Sequence, residues 1–346
     1  MKFVCDNILH MQDLQWRGSF IVDTSSDTTV INKYFESWKG GVEDKPCGNQ
    51  LIEEPVLVIH TLHSCYSHAI IDEIVIYFSL IKAIHPDKKW RIFIRRGNIE
   101  KYAEQNMRMI QDNNYTGAWK HIIESISPYP PIFEHSLEND EGLTFKSCYL
   151  YPLVDHNHRS IWNCIEYYPD YTQRVLCKDA HKYSDKIIYS YLSTYRDHIL
   201  SKYGKKCLQA LPRLVIIDRK YNRKFLPDIL RELHYRGSLE EGWSYEEPYV
   251  LEDMDFSEQV NLFRNAKIFI FNHGSSLTNL LWIPEGSIVF DLDLEMNRKG
   301  IVDRVCLLTK STHHYIDCNN MNISEQIFDP IRSYCAQAVS CETYSF

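Results

Sequence analysis

Residues 267–293, "KIFIFNHGSSLTNLLWIPEGSIVFDLD", decide how this chain reads. "KIFIF" and "SIVF" are short unbroken apolar runs of the kind that fill buried strands, and "LTNLLWI" between them reads as a short helix. Strands alternating with helices build parallel sheets, whose ligand sites lie beyond the carboxyl ends of the strands. At that position stands a polar cluster of mostly small residues: Asn272, His273, Gly274, Ser275 and Ser276.

The same alternation extends upstream. "RLVIID" is a buried strand, "RKYNRK" a polar turn, and "FLPDILRELHYRG" a helix with Pro227 in its first turn and Leu226, Ile229, Leu230 and Leu233 on one face, ending at Gly237. "VLEDMDFSEQVNLFRNA" reads as a further helix, with Phe256, Val260, Phe263 and Ala266 at helical spacing. In the N-terminal half, "PVLVIH", "SHAIIDEIVIYFSLIKAI" and "WRIFIRRG" make a second βαβ pattern, with His85-Pro86-Asp87 stopping its helix. Residues 98–150, including the Pro-rich "SPYPPIF", carry a weaker signal that reads as a helix or two among packing and loops. The amphipathic stretch "KYSDKIIYSYLSTYRDHILSKYG" ends at Gly204 and marks a domain boundary there, giving domains 1–204 and 205–346.

The chain of 346 residues, 44% of them hydrophobic, is long enough for two cores. Its net charge of −8 and the lack of a Lys/Arg block argue against a nucleic-acid partner. No run approaches the roughly 18–20 apolar residues of a membrane span, and the start has no apolar signal-like segment, so the expectation is a cytoplasmic protein. Eleven cysteines without a CxxC spacing suit free thiols in a reducing setting better than a disulfide framework. The acceptor-like triplets at Asn114 and Asn322 then read as chance.

What the cluster can hold follows from its backbone. If Leu277, Thr278 and Asn279 form the first turn of a helix, their N–H groups lack intrahelical partners and favour an anion. Gly274 lets the backbone approach a phosphate closely, and Ser275, Ser276 and Thr278 add hydroxyl donors. The helix dipole alone contributes only ~0.3–1 kcal/mol at an exposed end, so a tight site needs cations. Arg219 and Arg223, four residues apart beyond the neighbouring strand, supply them by bidentate contact. The same residues also fit a plain N-cap at Ser276 and a solvated arginine turn.

Three stretches carry a resemblance: "CYSHAIIDEI", "IIDRKYNRKFLPDI" and "DFSEQVNLFRNAKIFIFNHGSSLTNLLWIPEGSIVFDLD". In this order they resemble the signature blocks of glycosyltransferase family 61, which includes plant β-1,2-xylosyltransferase and protein O-GlcNAc transferases. The resemblance implies an α/β, GT-B architecture of two Rossmann-like domains with parallel sheets facing a central cleft. It also implies inverting transfer of xylose or N-acetylglucosamine from a UDP-sugar co-substrate, without metal or other cofactor, to a glycan or glycoprotein acceptor. His273, Gly274, Ser275, Ser276, Leu277, Thr278 and Asn279 match the donor loop, and Arg219 and Arg223 match the arginines facing the pyrophosphate. Glu258 matches the acid of the preceding helix, in a donor contact or a structural role. Ser275 and Ser276 replace the family's usual Ala and Gly, and Ala69 stands where an aromatic often follows the N-terminal His.

Inversion needs a base at the acceptor hydroxyl. His68 and Asp72 are i and i+4 on one helical face, beside the stripe of Ile70, Ile71, Ile74 and Phe78. The match to the family's H-x-x-x-D element makes Asp72 the base, with His68 orienting it or the acceptor and Glu73 as the alternative. A first-turn carboxylate also stabilises its own helix. Asp291 and Asp293, "DLD", resemble a metal-nucleotide D-x-D but read as a strand end, with contact to the donor left open, and the histidine pairs in "DHNHR" and "THHYID" read as chance. Two further classes stay open: a non-catalytic nucleotide-sugar or glycan-binding protein of the same fold, and a serine hydrolase built on Ser275 or Ser276. "HGSSL" lacks the second glycine of the G-x-S-x-G elbow.

Overall fold

Apolar runs bounded by turn residues become the strands of two sheets. The computed structural model describes residues 2–5, 8–16, 20–21, 48–59, 70, 74–84, 86–94, 118–133, 141–150, 185–205, 211–220, 225–240, 242–293, 300–318 and 322–342. The chain divides into two units, residues 1–160 and 161–346.

In the first unit the strands are β1 (Lys2–Cys5), β2 (Ile8–Trp16), β3 (Phe20–Ile21), β4 (Gly48–Ile52), β5 (Val56–Ile59), β6 (Arg91–Ile94), β7 (Ile132–Phe133) and β8 (Glu141–Leu150). They lie in the order β1-β2-β8-β5-β6-β7, with β4 also on β8 and β3 on β2. The expected βαβ pattern is present: α1 (Val75–Ile84) joins β5 to β6, which pair in parallel from Val56 opposite Arg91 to Ile59 opposite Ile94. Two features differ from the sequence reading. Within residues 98–150 the expected helical segment is present as α2 (Ala118–Ile126), but the long strand β8 also lies there, inside the sheet. In addition, β1, β2 and β3 add an antiparallel edge. Strand β8 buries Leu143, Phe145, Cys148 and Tyr149, but Lys146 and Ser147 interrupt its apolar pattern, which is why it does not read as a core strand.

The second unit is a parallel sheet of β9 (Arg213–Asp218), β10 (Ser244–Tyr245), β11 (Tyr249–Val250), β12 (Ile268–Asn272), β13 (Ile288–Asp293) and β14 (Thr312–Asp317). Its order is β10-β9-β12-β13-β14, with β11 also on β9. Helices α3 (Asp185–Tyr203), α4 (Pro227–Leu239), α5 (Phe256–Arg264), α6 (Gly300–Leu308) and α7 (Ile323–Glu342) accompany it, with 3₁₀ segments at Leu251–Asp253 and Ser275–Trp282. Alternation along the strands sorts the two faces. Leu214, Ile216, Ile268, Ile270, Phe290 and Leu292 share a core with Leu233 of α4 and Ile327, Phe328 and Ile331 of α7. On the other face Phe269 and Phe271 stack with Phe263 of α5, at 5.4 Å and 5.7 Å between ring centroids.

Three element boundaries depart from the expectation for physical reasons. Helix α3, grouped above with residues 1–204, lies in the second unit: Arg264 Nη1 donates to Leu200 O at 2.8 Å, and Tyr195 meets Trp282 edge-on. Helix α4 continues through Gly237, where a Cβ would come within 3.4 Å of Leu214 and Tyr245. That glycine therefore serves close helix-to-sheet packing. The stretch from Val250 to Ala266 is not one helix. A 3₁₀ turn is followed by Asp255, whose side chain caps α5. Among the described residues Cys148, Cys306, Cys318 and Cys335 are free thiols. No helix among the described residues is long and apolar enough to cross a membrane.

Candidate functional site

Parallel pairing brings the carboxyl ends of β9, β12 and β13 side by side, with Ile217 opposite Phe271 and Asn272 opposite Leu292. Arg219 follows β9, His273 and Gly274 follow β12, and Asp291 lies near the end of β13. Gly274 is extended, with φ 164° and ψ −167°, a conformation open to any residue, so its missing side chain matters for space rather than strain. A Cβ placed there would collide with Arg219 Nη1. The guanidinium thus lies directly against the loop backbone at the N-cap of the 3₁₀ helix. Arg219 Nε is 3.8 Å from Glu252 Oε1, within ion-pair range but beyond a hydrogen bond, so Glu252 holds it loosely.

His273 continues the ladder by donating its backbone N–H to Leu292 O at 2.9 Å. Its Nδ1 lies 2.8 Å from Asp291 Oδ2, within hydrogen-bond distance. The aspartate side chain has 0% exposure against 12% for the imidazole, and His313 Nε2 lies 4.0 Å from the same carboxylate oxygen. Among the described residues, Ser276 Oγ, Thr278 Oγ1 and Asp291 Oδ1 are buried without a hydrogen-bond partner. Buried polar atoms are ordinarily paired, and leaving one unpaired costs about 1–3 kcal/mol, so three near one loop make it the candidate site.

The remaining expected donor residues divide. The short helix is 3₁₀ and starts at Ser275 with Gly274 as its N-cap, not with Ser276 as the cap. Leu277 is buried among apolar residues. Asn279 is fully buried, donating from Nδ2 to Gln259 Oε1 at 3.0 Å and accepting from Trp282 Nε1 at 3.1 Å. Gln259 in turn donates to Leu251 O and Met254 O, so this amide chain ties the loop to the turn carrying Glu252. Glu258 uses its carboxylate in a capping box, accepting the Asp255 N–H at 2.8 Å while Asp255 Oδ1 accepts the Glu258 N–H. Its position serves the start of α5. Among the described residues none offers Ser276 Oγ the hydrogen-bonded general base that a serine nucleophile requires.

His68, Asp72, Glu73 and Arg223 lie outside the described residues, as does "DHNHR". Reading motifs singly missed Glu252 and Gln259, and read Asp291 as a strand end without its link to His273. The signal for Gln259 was a polar residue within the apolar face of α5.

A sequence profile described as Glycosyltransferase 61 matches residues 18–290, well over half the chain. Over 44 residues the chain is 43% identical to the EGF domain-specific O-linked N-acetylglucosamine transferase of Gallus gallus, a match covering 13% of this chain and 8% of that protein. The chain thus spans under a tenth of that relative's length. A glycosyl transferase family 9 structure from Veillonella parvula aligns over 82% of this chain and 98% of its own, with 9% identity and a TM-score of 0.35.

Proposed function

The chain belongs to glycosyltransferase family 61, and from that premise we propose that it moves a sugar, xylose or N-acetylglucosamine, from a UDP-sugar to a hydroxyl of a glycan or protein acceptor, with inversion. The observation that carries this reading is the seating of Arg219 on Gly274, which puts a cation and a helix N-terminus at one strand edge. Guanidinium and backbone N–H groups together suit a diphosphate. Arg223, from the same turn, adds a second cation. Charge developing on the departing UDP is stabilised by these fixed donors, so the reaction needs no metal ion. In the first unit, Asp72 takes the acceptor proton, with His68 orienting it and Glu73 as the alternative base. The GT-B reading gives the donor to the second unit and the acceptor to the first.

Differential scanning with UDP tests the donor site. At a hundredfold excess over Kd, binding stabilises by ~2.7 kcal/mol, which raises Tm by several degrees for units of this size. The expected result is such a shift with UDP, its loss in Arg219→Ala and Arg223→Ala, and transfer or donor hydrolysis that persists in EDTA. Melting that ignores UDP, GDP and CMP alike would overturn the donor site. Strict Mn dependence lost in Asp291→Asn would restore the D-x-D alternative.

A further inference from the structure

Strand alternation puts Phe290 and Leu292 in the core shared with α4 and α7 and turns Asp291 to the opposite face, level with Phe271. That face is otherwise apolar here, with Phe269 and Phe271 stacked on each other and on Phe263. A carboxylate with no exposed surface loses all its hydration, and an apolar side chain would serve packing better. The contacts that account for it are imidazoles: His273 Nδ1 at 2.8 Å and His313 Nε2 at 4.0 Å from Oδ2. Its Oδ1 has no hydrogen-bond partner among the described residues.

We propose that Asp291 is a positioning residue that acts through His273, fixing the ring so that Nε2 meets the donor's diphosphate. The inference rests on the donor-site reading above. A carboxylate accepting from Nδ1–H selects that tautomer and orients the ring, leaving Nε2 as the nitrogen offered outward. The partly exposed member of the pair is the imidazole, which belongs to the residue immediately before the glycine that seats Arg219. When a diphosphate binds, one proton from solvent enters at Nε2, so that Nδ1–H serves Asp291 and Nε2–H serves a phosphate oxygen. The buried carboxylate is then the counter-charge of the imidazolium. Among the described residues, the titratable groups linked to the ring are Asp291 from β13, with His313 of β14 against the same carboxylate, and Arg219, seated on the adjacent Gly274 and paired with Glu252.

Two measurements on the full chain test this. Calorimetric titration with UDP in buffers of different ionisation enthalpy should show net proton uptake in the wild type and none in His273→Gln. Asp291→Asn and His273→Gln should each weaken UDP about ten- to a hundredfold, and the double variant should bind no more weakly than His273→Gln alone. A purely structural aspartate would lower Tm and cost affinity additively, and that result overturns the proposal. Should Asp291→Asn not fold, long-range ¹H–¹⁵N spectra of the ligand-free wild type above neutral pH decide the matter. His273, assigned by its absence in His273→Gln, should carry its proton on Nδ1, and an Nε2–H tautomer overturns the proposal. UDP binding with the wrong tautomer, or with additive losses, defeats this inference alone. A wild type that does not bind UDP defeats the donor site and this inference together.

Discussion

At Gly274 the absent side chain is what lets Arg219 reach the loop backbone. Gly274→Ala should push the guanidinium aside and shrink the UDP-induced rise in Tm. The ligand-free Tm should move little, because the displaced atom is the far end of a flexible side chain and such changes usually stay within about 0.5 kcal/mol. An undiminished UDP shift would remove this pair from the site. His314 supports a pH prediction. It stacks on Phe290 at 5.0 Å, and burial, then the neighbouring His313, pushes its imidazole below the usual 6.5. The unfolded chain therefore binds a proton more readily than the folded one, so this contribution is full above 6.5 and is lost as pH falls through the lowered folded value. His314→Phe should flatten that acid-side loss in urea titrations at a series of pH values. An unchanged slope would place the titration elsewhere. At this scale the sequence placed His273, Gly274 and Arg219 at neighbouring strand ends, because unbroken apolar runs ending in polar residues mark where parallel strands stop, and the structure sets Arg219 against Gly274. It could not separate Asn279 and Glu258 from ligand contacts, since an amide or a carboxylate looks the same whether it meets a substrate or a neighbouring backbone.

Among the elements, the 3₁₀ helix Ser275–Trp282 is unusual in length, since such helices rarely exceed three or four residues. Side-chain bonds hold it: Trp282 to Asn279, Asn279 to Gln259, and Gln259 to the carbonyls of Leu251 and Met254. Asn279→Leu strands the Trp282 N–H and the Gln259 carbonyl oxygen, each worth about 1–3 kcal/mol when left unpaired and buried. The expected loss is roughly 2–6 kcal/mol in urea unfolding, on the same basis. A loss under about 0.5 kcal/mol, the range of an ordinary surface change, would show that the network does not hold the loop. The parallel strands were legible because strands buried on both faces read as unbroken apolar runs. The 3₁₀ geometry was not, because residues 277–282 are all buried and leave no inward–outward period to read. Strand β8 and the antiparallel edge escaped notice because half-polar strands resemble loops.

Across the whole molecule, the residues proposed for the donor all fall in 161–346 and those proposed for the base in 1–160. Binding and chemistry should then separate by mutation. Asp72→Asn should slow transfer by ~10²–10⁴, the usual worth of a general base, and leave UDP affinity unchanged. Normal turnover in that variant together with a dead Glu73→Gln would move the base by one residue. The sheet order β10-β9-β12-β13-β14 has one more consequence. Strand β9 is the first to be synthesised, β10 and β11 settle against one of its edges, and β12, β13 and β14 then line up outward from the other in the order they leave the ribosome. Each strand meets its partner as soon as it emerges, so this unit can be assembled vectorially. No strand has to insert between two strands already paired, and only the growing edge waits for the next strand, which limits the apolar edge exposed to aggregation.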